Sequence, residues 1–159
     1  MNIANKALEI ATLAHKGQKD LAGIDYIEHP KKVASFLNSD EEKAVAYLHD
    51  VLEDTSLTEK DLLQMGIPND IVIAVKVLTK EKGESYTKYI ERIKENKLVC
   101  KVKIADLKHN MDLSRISKPS KIDYERVKKY ERALTFLKLE IIYIYFYKSI
   151  NFIILRWGI

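Results

Sequence analysis

Residues 44–55 read AVAYLHDVLEDT, and this stretch decides the fold around it. Its apolar residues recur at helical spacing, which predicts a helix packed in a core. The apolar pattern is interrupted by His49, Asp50, Glu53 and Asp54. Isolated ionised groups in a core are costly unless they are paired or bind a metal. On one helix His49 lies one turn from Glu53, and Asp50 lies one turn from Asp54. The stretch therefore suits a buried cation with two ligands and two further carboxylates beside it.

Length and composition restrict the class of protein. The 159 residues suit a single domain with its own core, and 47% hydrophobic with 31% charged residues is an ordinary globular balance. Lys and Arg outnumber Asp and Glu by 27 to 23, so the formal net charge is +4. This mild positive balance favours small anionic partners. No Lys/Arg run is dense enough to predict nucleic-acid binding.

Cys100 is the only cysteine, so no disulfide can form within the chain and a reducing compartment is expected. It lies in an apolar run, which favours a small buried filler over a nucleophile. The N-terminal residues lack the apolar stretch of a signal peptide. Together these features predict a cytoplasmic protein, and the sequence leaves a homo-oligomer open.

Helical periodicity recurs between capping and turn signals along the chain. Pro30 suits the first turn of a helix, and Ser39 or Asp40 suits the cap of the helix that holds residues 44–55. Capping signals also occur at Thr58 with Asp61, at Asn69, at Ser85 and at Ser120 with Asp123. The predicted helices cover 2–15, 30–37, 40–55, 59–65, 70–80, 86–96, 97–113 and a segment from 121 onward. About eight helices without a hairpin, repeat or linker predict an all-α bundle.

The last residues differ in character, so we divide the chain into a domain of residues 1–137 and a hydrophobic tail of residues 138–159. The tail is apolar almost throughout, but Lys148, Asn151 and Arg156 interrupt it, and it lacks a clean span of about 20 apolar residues. A membrane-spanning helix is therefore disfavoured. A terminal helix on the bundle, a partner surface, a poorly ordered tail and a changed reading frame near the end of the gene all remain open.

Two further residues could complete a metal site with His49 and Asp50. His29 stands just before Pro30 at a helix start, and Asp106 is a carboxylate in an apolar helix without an evident partner. A lone histidine on an apolar face is usually structural, but these residues together favour a ligand set. Imidazole and carboxylate ligands suit Mn, Fe, Co, Ni or Zn, and they lack the thiolates of a structural zinc site.

The order His29, then His49-Asp50, then Asp106 resembles the HD superfamily of metal-dependent phosphohydrolases. The segments AHKGQ, YIEHP, LHDVLEDT and KIADLKHNM are each similar to motifs of the RelA/SpoT-type hydrolase domain. They also resemble the small alarmone hydrolases, which consist of that domain alone. The resemblance covers residues 7–137. It implies an all-helical fold that binds one Mn²⁺ and hydrolyses the 3′-diphosphate of ppGpp or pppGpp.

The resemblance also implies a role for each matched residue. The metal ligands would be His29, His49, Asp50 and Asp106. The catalytic pair would be Glu53 and Asp54, which orient the attacking water or exchange a proton with it. Which of the two carboxylates performs which task is not readable from the sequence.

Substrate contacts follow from the same resemblance. Asn110 lies one helical turn beyond Asp106 and would contact the nucleotide. Arg126 and Tyr130 form an i, i+4 pair that would contact substrate phosphate, for which the guanidinium fork is well suited. The alternative for this pair is a solvated arginine and a core tyrosine. His15 and His109 would support the fold or the metal ligands.

One departure from the family concerns the base. After AHKGQ the family has a basic pair that positions the nucleotide base, and here Asp20 and Leu21 occupy that place. The metal ligands are all present, so the hydrolytic chemistry is retained while guanine recognition is put in doubt. Two alternatives therefore stay open. One is an HD phosphohydrolase acting on another nucleotide, such as NADPH, and the other is a non-catalytic nucleotide sensor.

Overall fold

The computed structural model describes the backbone of residues 2–157 and the side chains of residues 2–139. Within those residues the chain is all-α, and its one sheet-like feature is an isolated antiparallel bridge between Lys19 and Asp25. The helices are α1 (Ile3–Ala14), α2 (Glu28–Ala34), α3 (Asp40–Leu48), α4 (Val51–Asp54), α5 (Glu59–Gln64), α6 (Asn69–Leu78), α7 (Tyr86–Lys94), α8 (Lys97–Asn110) and α9 (Lys121–Trp157), with a 3-10 turn at Leu113–Arg115 between the last two. The predicted all-α bundle is confirmed.

Most helix starts follow the predicted capping chemistry. Ser39 caps α3 in a capping box, since its hydroxyl accepts from the Glu42 amide at 3.2 Å and the Glu42 carboxylate accepts from the Ser39 amide at 3.3 Å. Thr58 with Asp61 forms the same arrangement at α5. The prediction for Asn69 was wrong. Pro68 is the capping residue of α6, and Asn69 is the first residue inside the helix.

The predicted helix over residues 40–55 is divided into α3 and α4 at His49 and Asp50. In an unbroken helix the Ala46 carbonyl would accept from the Asp50 amide. Instead, Nδ1 of His49 donates to that carbonyl at 2.7 Å. A side chain that takes a backbone acceptor in this way competes with the helix. The same residue that interrupts the apolar pattern therefore also ends the helix.

Helix α3 lies at the centre of the bundle and packs against α1, α2, α6 and α8. Its side chains Val45 and Leu48 are fully buried, and so is Val51 at the start of α4. Their packing brings His49 and Asp50 into the interior next to α2 and α8. Cys100 is buried on α8, in agreement with its predicted role as a filler. Burial of this apolar face stabilises the elements that position the polar site.

Helix α9 packs against α7 and α8 and continues across the predicted boundary at residues 137–138. The side chains of residues 140–159 lie outside the described part, so the division into a domain and a tail stays a prediction. Within the part of the chain that the structure describes, no helix has the length and apolar character needed to cross a membrane.

Candidate active site

Two imidazoles and a carboxylate from three separate helical regions meet at one point. Nε2 of His29, near the start of α2, lies 3.2 Å from Nε2 of His49 at the end of α3. Oδ1 of Asp106, on α8, lies 3.2 Å from His29 Nε2 and 3.7 Å from His49 Nε2. All three side chains are buried, and one ligand atom from each lies within 4.8 Å of the others. These atoms could hold one metal ion.

Asp50, the fourth predicted ligand, borders this cluster from the segment between α3 and α4. Its Oδ2 lies 3.0 Å from His49 Nε2 and 3.5 Å from His29 Nε2. We call these four residues, His29, His49, Asp50 and Asp106, the floor of the site. Two imidazole nitrogens and two carboxylate oxygens are a donor set that fits a divalent transition metal.

The floor residues are oriented by a second set of contacts. Nδ1 of His49 donates to the Ala46 carbonyl, which leaves Nε2 free to face the other ligands. Nδ1 of His29 lies 2.8 Å from Nδ1 of His109, and burial together with His29 lowers the pKa of His109 to about 4, so that this ring is neutral near neutral pH. Metal-binding histidines usually have such a partner on their second nitrogen.

The carboxylates make the floor favour positive charge. Burial opposes protonation of His49, but Asp50 and Asp106 outweigh it and raise the pKa of His49 to about 10. Burial would likewise raise the pKa of Asp50, yet His49 and His29 lower it to about 2. The pKa of Asp106 also lies well below its ordinary value despite burial, because Lys103 and both histidines stabilise its charge. Both carboxylates are therefore ionised and available to a cation.

Two residues that the sequence analysis did not single out hold these carboxylates. The hydroxyl of Tyr26 donates to Oδ2 of Asp50 at 2.6 Å, and burial together with Asp50 raises the pKa of Tyr26, so this phenol stays protonated. The ammonium of Lys103 donates to Oδ2 of Asp106 at 2.7 Å. Lys103 stands three residues before Asp106 on α8, and this i, i+3 spacing was the signal that could have found it.

A cavity of about 720 Å³ opens above the floor. Glu53 and Asp54, the predicted catalytic pair, are exposed side chains on α4 and line this cavity. The Glu53 carboxylate accepts from the Lys80 amide at 3.2 Å. The Asp54 carbonyl accepts from the Gln18 side chain at 2.9 Å, and Gln18 also contacts Nδ1 of His15 at 2.8 Å. The AHKGQ segment thus fixes the end of α4.

The predicted substrate contacts border the same cavity from α8 and α9. Asn110 donates to Oδ1 of Asp106 at 2.5 Å, so it lies directly beside the floor. Arg126 donates to Asp123 at 2.9 Å at the start of α9, and Tyr130 lies one turn further on, near the Tyr86 ring. Tyr86 also lines the cavity and was not predicted, because a tyrosine at helical spacing is equally typical of a core residue.

Residues 18–25 and the 3-10 turn also border the cavity, through residues 19–22 and Arg115, and we call these two segments the mouth. Oδ2 of Asp20 accepts from Nη2 of Arg115 at 2.6 Å. Residues 18–25 form a small hairpin in which the Tyr26 amide donates to the Gln18 carbonyl, and Gly23 takes a φ of +80° that favours glycine. Asp20, the position that departs from the family, therefore forms an ion pair with an arginine from a distant part of the chain.

Comparisons with known proteins agree with the motifs. No protein-family model matches the chain. The GTP pyrophosphokinase rsh of Brucella melitensis is 36% identical over 124 residues, which are 69% of this chain and 16% of that protein. The guanosine-3′,5′-bis(diphosphate) 3′-pyrophosphohydrolase of Haemophilus influenzae is 38% identical over 116 residues, 64% of this chain and 17% of that protein. The bifunctional (p)ppGpp synthase/hydrolase SpoT of Escherichia coli is 34% identical over 120 residues, 67% of this chain and 17% of its own.

The chain therefore matches only 16–17% of the length of these curated relatives. A solved structure of a metazoan orthologue of SpoT, described as hydrolysing ppGpp and acting in starvation responses, superposes with a TM-score of 0.70. The match covers 92% of this chain and 95% of that one at 19% identity, so it shows a shared fold. The resemblance predicted from the motifs is thus confirmed, and the chain is a RelA/SpoT-family relative with the all-α fold of the HD type.

Proposed function

We propose that this protein is a metal-dependent phosphohydrolase that converts ppGpp and pppGpp to GDP and GTP with release of pyrophosphate. The observation that carries the proposal is the floor, where two imidazoles and two carboxylates converge beneath a cavity that Glu53 also lines. The relatives named above support the nucleotide, since each name refers to making or breaking down (p)ppGpp or to GTP.

The floor residues would hold a single divalent cation, and we propose Mn²⁺, although the same donors also suit Fe, Co, Ni and Zn. Such a cation lowers the pKa of a bound water and polarises a phosphoryl oxygen. The orientation of the ligands is the protein's contribution. Tyr26 holds Asp50, Lys103 holds Asp106, and the Ala46 carbonyl fixes His49.

Glu53 and Asp54 would carry out the proton transfer from the attacking water. In the reaction the water oxygen forms a bond to the phosphorus attached to O3′, and the bond between that phosphorus and O3′ breaks. One carboxylate would accept the proton from the water and pass it on to the O3′ leaving group, so that the proton is returned within the same step. The Lys80 amide restrains the Glu53 carboxylate at the cavity wall, so Glu53 is the more strongly positioned of the two.

A second candidate is a hydrolase that acts on another phosphorylated nucleotide, such as NADPH. The observation that favours it is the Asp20 carboxylate at the mouth, in the place where the family has a basic residue. A nucleotide sensor without catalysis is a weaker alternative, because a binding module has little need of two exposed carboxylates beside a metal site. Some relatives carry synthetase names, so pyrophosphate transfer to GTP also needs a direct test.

The experiment is a panel assay with purified protein and Mn²⁺. It offers ppGpp, pppGpp, NADPH and simple nucleoside phosphates in parallel, and a further reaction with GTP and ATP tests synthesis. We expect GDP or GTP and pyrophosphate from the first two substrates, loss of activity with a chelator, and recovery on adding Mn²⁺. Rapid turnover of NADPH with none of ppGpp would replace the first proposal by the second. Nucleotide binding without any turnover would favour the sensor.

A further inference from the structure

Two arginine–carboxylate pairs in this protein have the same burial but different use of the guanidinium. The side chains of Arg92 and Arg115 are 30% and 27% exposed, and their partners Glu84 and Asp20 are both 12% exposed. Arg92 donates to both Glu84 oxygens at 3.0 and 2.8 Å, and to the carbonyls of residues 77 and 79 at 2.8 and 3.3 Å. Among the described residues Arg115 donates a single hydrogen bond, from Nη2 to Asp20. Most N–H groups of the Arg115 guanidinium therefore have no hydrogen-bond acceptor among the described residues and could donate to a ligand.

Asp20 is built to hold Arg115 in place. Its Oδ1 accepts from the amides of Ala22 at 2.8 Å and Ile24 at 3.0 Å, while Oδ2 accepts from Arg115. Burial would raise the pKa of Asp20, but these hydrogen bonds and the guanidinium outweigh burial and lower it. Asp20 is thus a fixed anion. It holds Nη2 of Arg115 in place and leaves the other N–H groups of the planar guanidinium available to a ligand. Such pre-organisation reduces the entropy lost when a ligand binds.

The surroundings of Arg115 suit a flat ring rather than a phosphate. Leu21, Ala22 and Ile116 line the same cavity and are sequence neighbours of Asp20 or Arg115, so apolar residues flank both members of this ion pair along the chain. The floor residues line this cavity as well and would take the scissile phosphate. A planar heteroaromatic base can pack on the apolar side chains and accept hydrogen bonds in its plane from the guanidinium.

The donor pattern of Arg115 selects among bases. Guanine presents two adjacent acceptors, N7 and O6, which match two parallel N–H donors of arginine. Adenine presents N7 next to an amino donor, which cannot face an arginine in the same way. We propose that Arg115, positioned by Asp20, is the residue of this protein that recognises the base, and that it selects guanine over adenine. This inference rests on the proposed function for its assay substrate.

The test compares hydrolysis of ppGpp with that of adenosine 3′,5′-bis(diphosphate) in the presence of Mn²⁺. We expect the wild-type protein to favour the guanine substrate by roughly 10- to 100-fold in kcat/KM, the range of one bidentate base contact. Arg115→Met keeps the aliphatic stem but removes the donors, so the ratio should fall close to one through a higher KM for ppGpp. The hypoxanthine analogue retains N7 and O6 and should behave like guanine, whereas the 7-deazaguanine analogue should not.

The matched control is Arg92→Met, which removes an equally exposed guanidinium from a pair that does not line the cavity. We expect it to lower the melting temperature and to leave the base ratio unchanged. Arg115→Lys serves as a second variant if Arg115→Met does not fold, because lysine can keep the contact with Asp20 but lacks the planar fork. It should lose most of the preference for guanine.

Equal turnover of both bases by the wild-type protein, or an unchanged ratio in both Arg115 variants, overturns the inference while leaving the hydrolase proposal intact. If neither substrate is hydrolysed, calorimetric titration of GDP and ADP decides. Tighter binding of GDP that is lost in Arg115→Met supports the inference even though the proposed reaction has failed. Equal binding of GDP and ADP overturns both.

Discussion

The floor and the mouth of the cavity are built in different ways. The floor is assembled from helices that pack around α3, and its His29, His49 and Asp106 are buried. The mouth is a hairpin and a 3-10 turn joined by an ion pair between Asp20 and Arg115, which are 95 positions apart. The floor depends on the core for its geometry, whereas the mouth depends on a few polar contacts.

This difference separates the proposed chemistry in the floor from the proposed recognition in the mouth. A change in the floor disturbs both the core and the ligand set, so its residues have little freedom. A change at Asp20 or Arg115 alters a contact between two loops and touches none of the floor residues, as expected for surface segments carried by a rigid scaffold. A different base specificity would therefore need changes in the mouth alone, while the proposed hydrolytic centre in the floor stays the same.

The largest effect is expected in the floor. Asp50→Ala removes a carboxylate that contacts both imidazoles, so metal binding and hydrolysis should be lost together. Calorimetric titration with Mn²⁺ and the ppGpp assay measure the two effects. Asp61→Ala is the control, because this carboxylate belongs to the capping box of α5, and its loss should lower stability while metal binding remains. Full activity of Asp50→Ala would remove the floor from the mechanism.

The next largest effect is expected at Glu53, which lines the cavity. Glu53→Gln keeps the size of the side chain and can still accept from the Lys80 amide, but it cannot take up a proton. Turnover should fall by about 100-fold, the scale of a lost general acid or base, with Mn²⁺ affinity unchanged. Glu59→Gln, which alters a surface pair with Lys76, should retain the wild-type rate. A wild-type rate for Glu53→Gln would leave the proton to Asp54.

A smaller effect is expected where the two regions join. Tyr26 follows the mouth hairpin, and its hydroxyl donates to Asp50 in the floor. Tyr26→Phe should weaken Mn²⁺ binding by about tenfold, as is typical for residues that orient a ligand. Tyr124→Phe, at an exposed position on α9, should not change the affinity. Equal affinities for both variants would mean that Asp50 needs no support from the mouth.

The smallest effect is confined to the mouth. Asp20→Asn should lower the free energy of unfolding by about 1 kcal/mol near neutral pH. The lowered pKa of Asp20 means that its contribution is present above the ordinary value of 3.8 and is lost as pH falls through the folded-state value. Urea unfolding of wild type and variant should therefore converge as the solution is acidified. A stability difference that persists in acid would show that the carboxylate charge is not its source.

The sequence predicted the floor better than the mouth because the two regions leave different signals. Helical spacing and capping residues indicated most helix starts, and the polar residues at 49 and 50 stand out against an apolar helix. The structure brings these together with His29 and Asp106, although their role as ligands is a proposal. Asp20 and Arg115 have no fixed spacing in sequence, and an ion pair between two irregular segments has no periodicity to detect.

Local competition for hydrogen bonds also escaped prediction. The pattern of residues 44–55 is helical throughout, and nothing in it indicates that the His49 side chain would take the Ala46 carbonyl and divide the helix. Tyr130 was ambiguous for another reason. An aromatic residue at helical spacing fits a core face and a cavity wall equally well.

The division between α3 and α4 has a consequence for engineering the metal preference. His49 performs two tasks with one ring, since Nδ1 bends the backbone and Nε2 points into the floor. Replacing it by cysteine to attract a softer metal would remove the bend as well as the imidazole. The continuous helix that results would turn Asp50 and Glu53 toward new directions. Ligand exchange at Asp106, inside an unbroken helix, is the route that leaves the backbone in place.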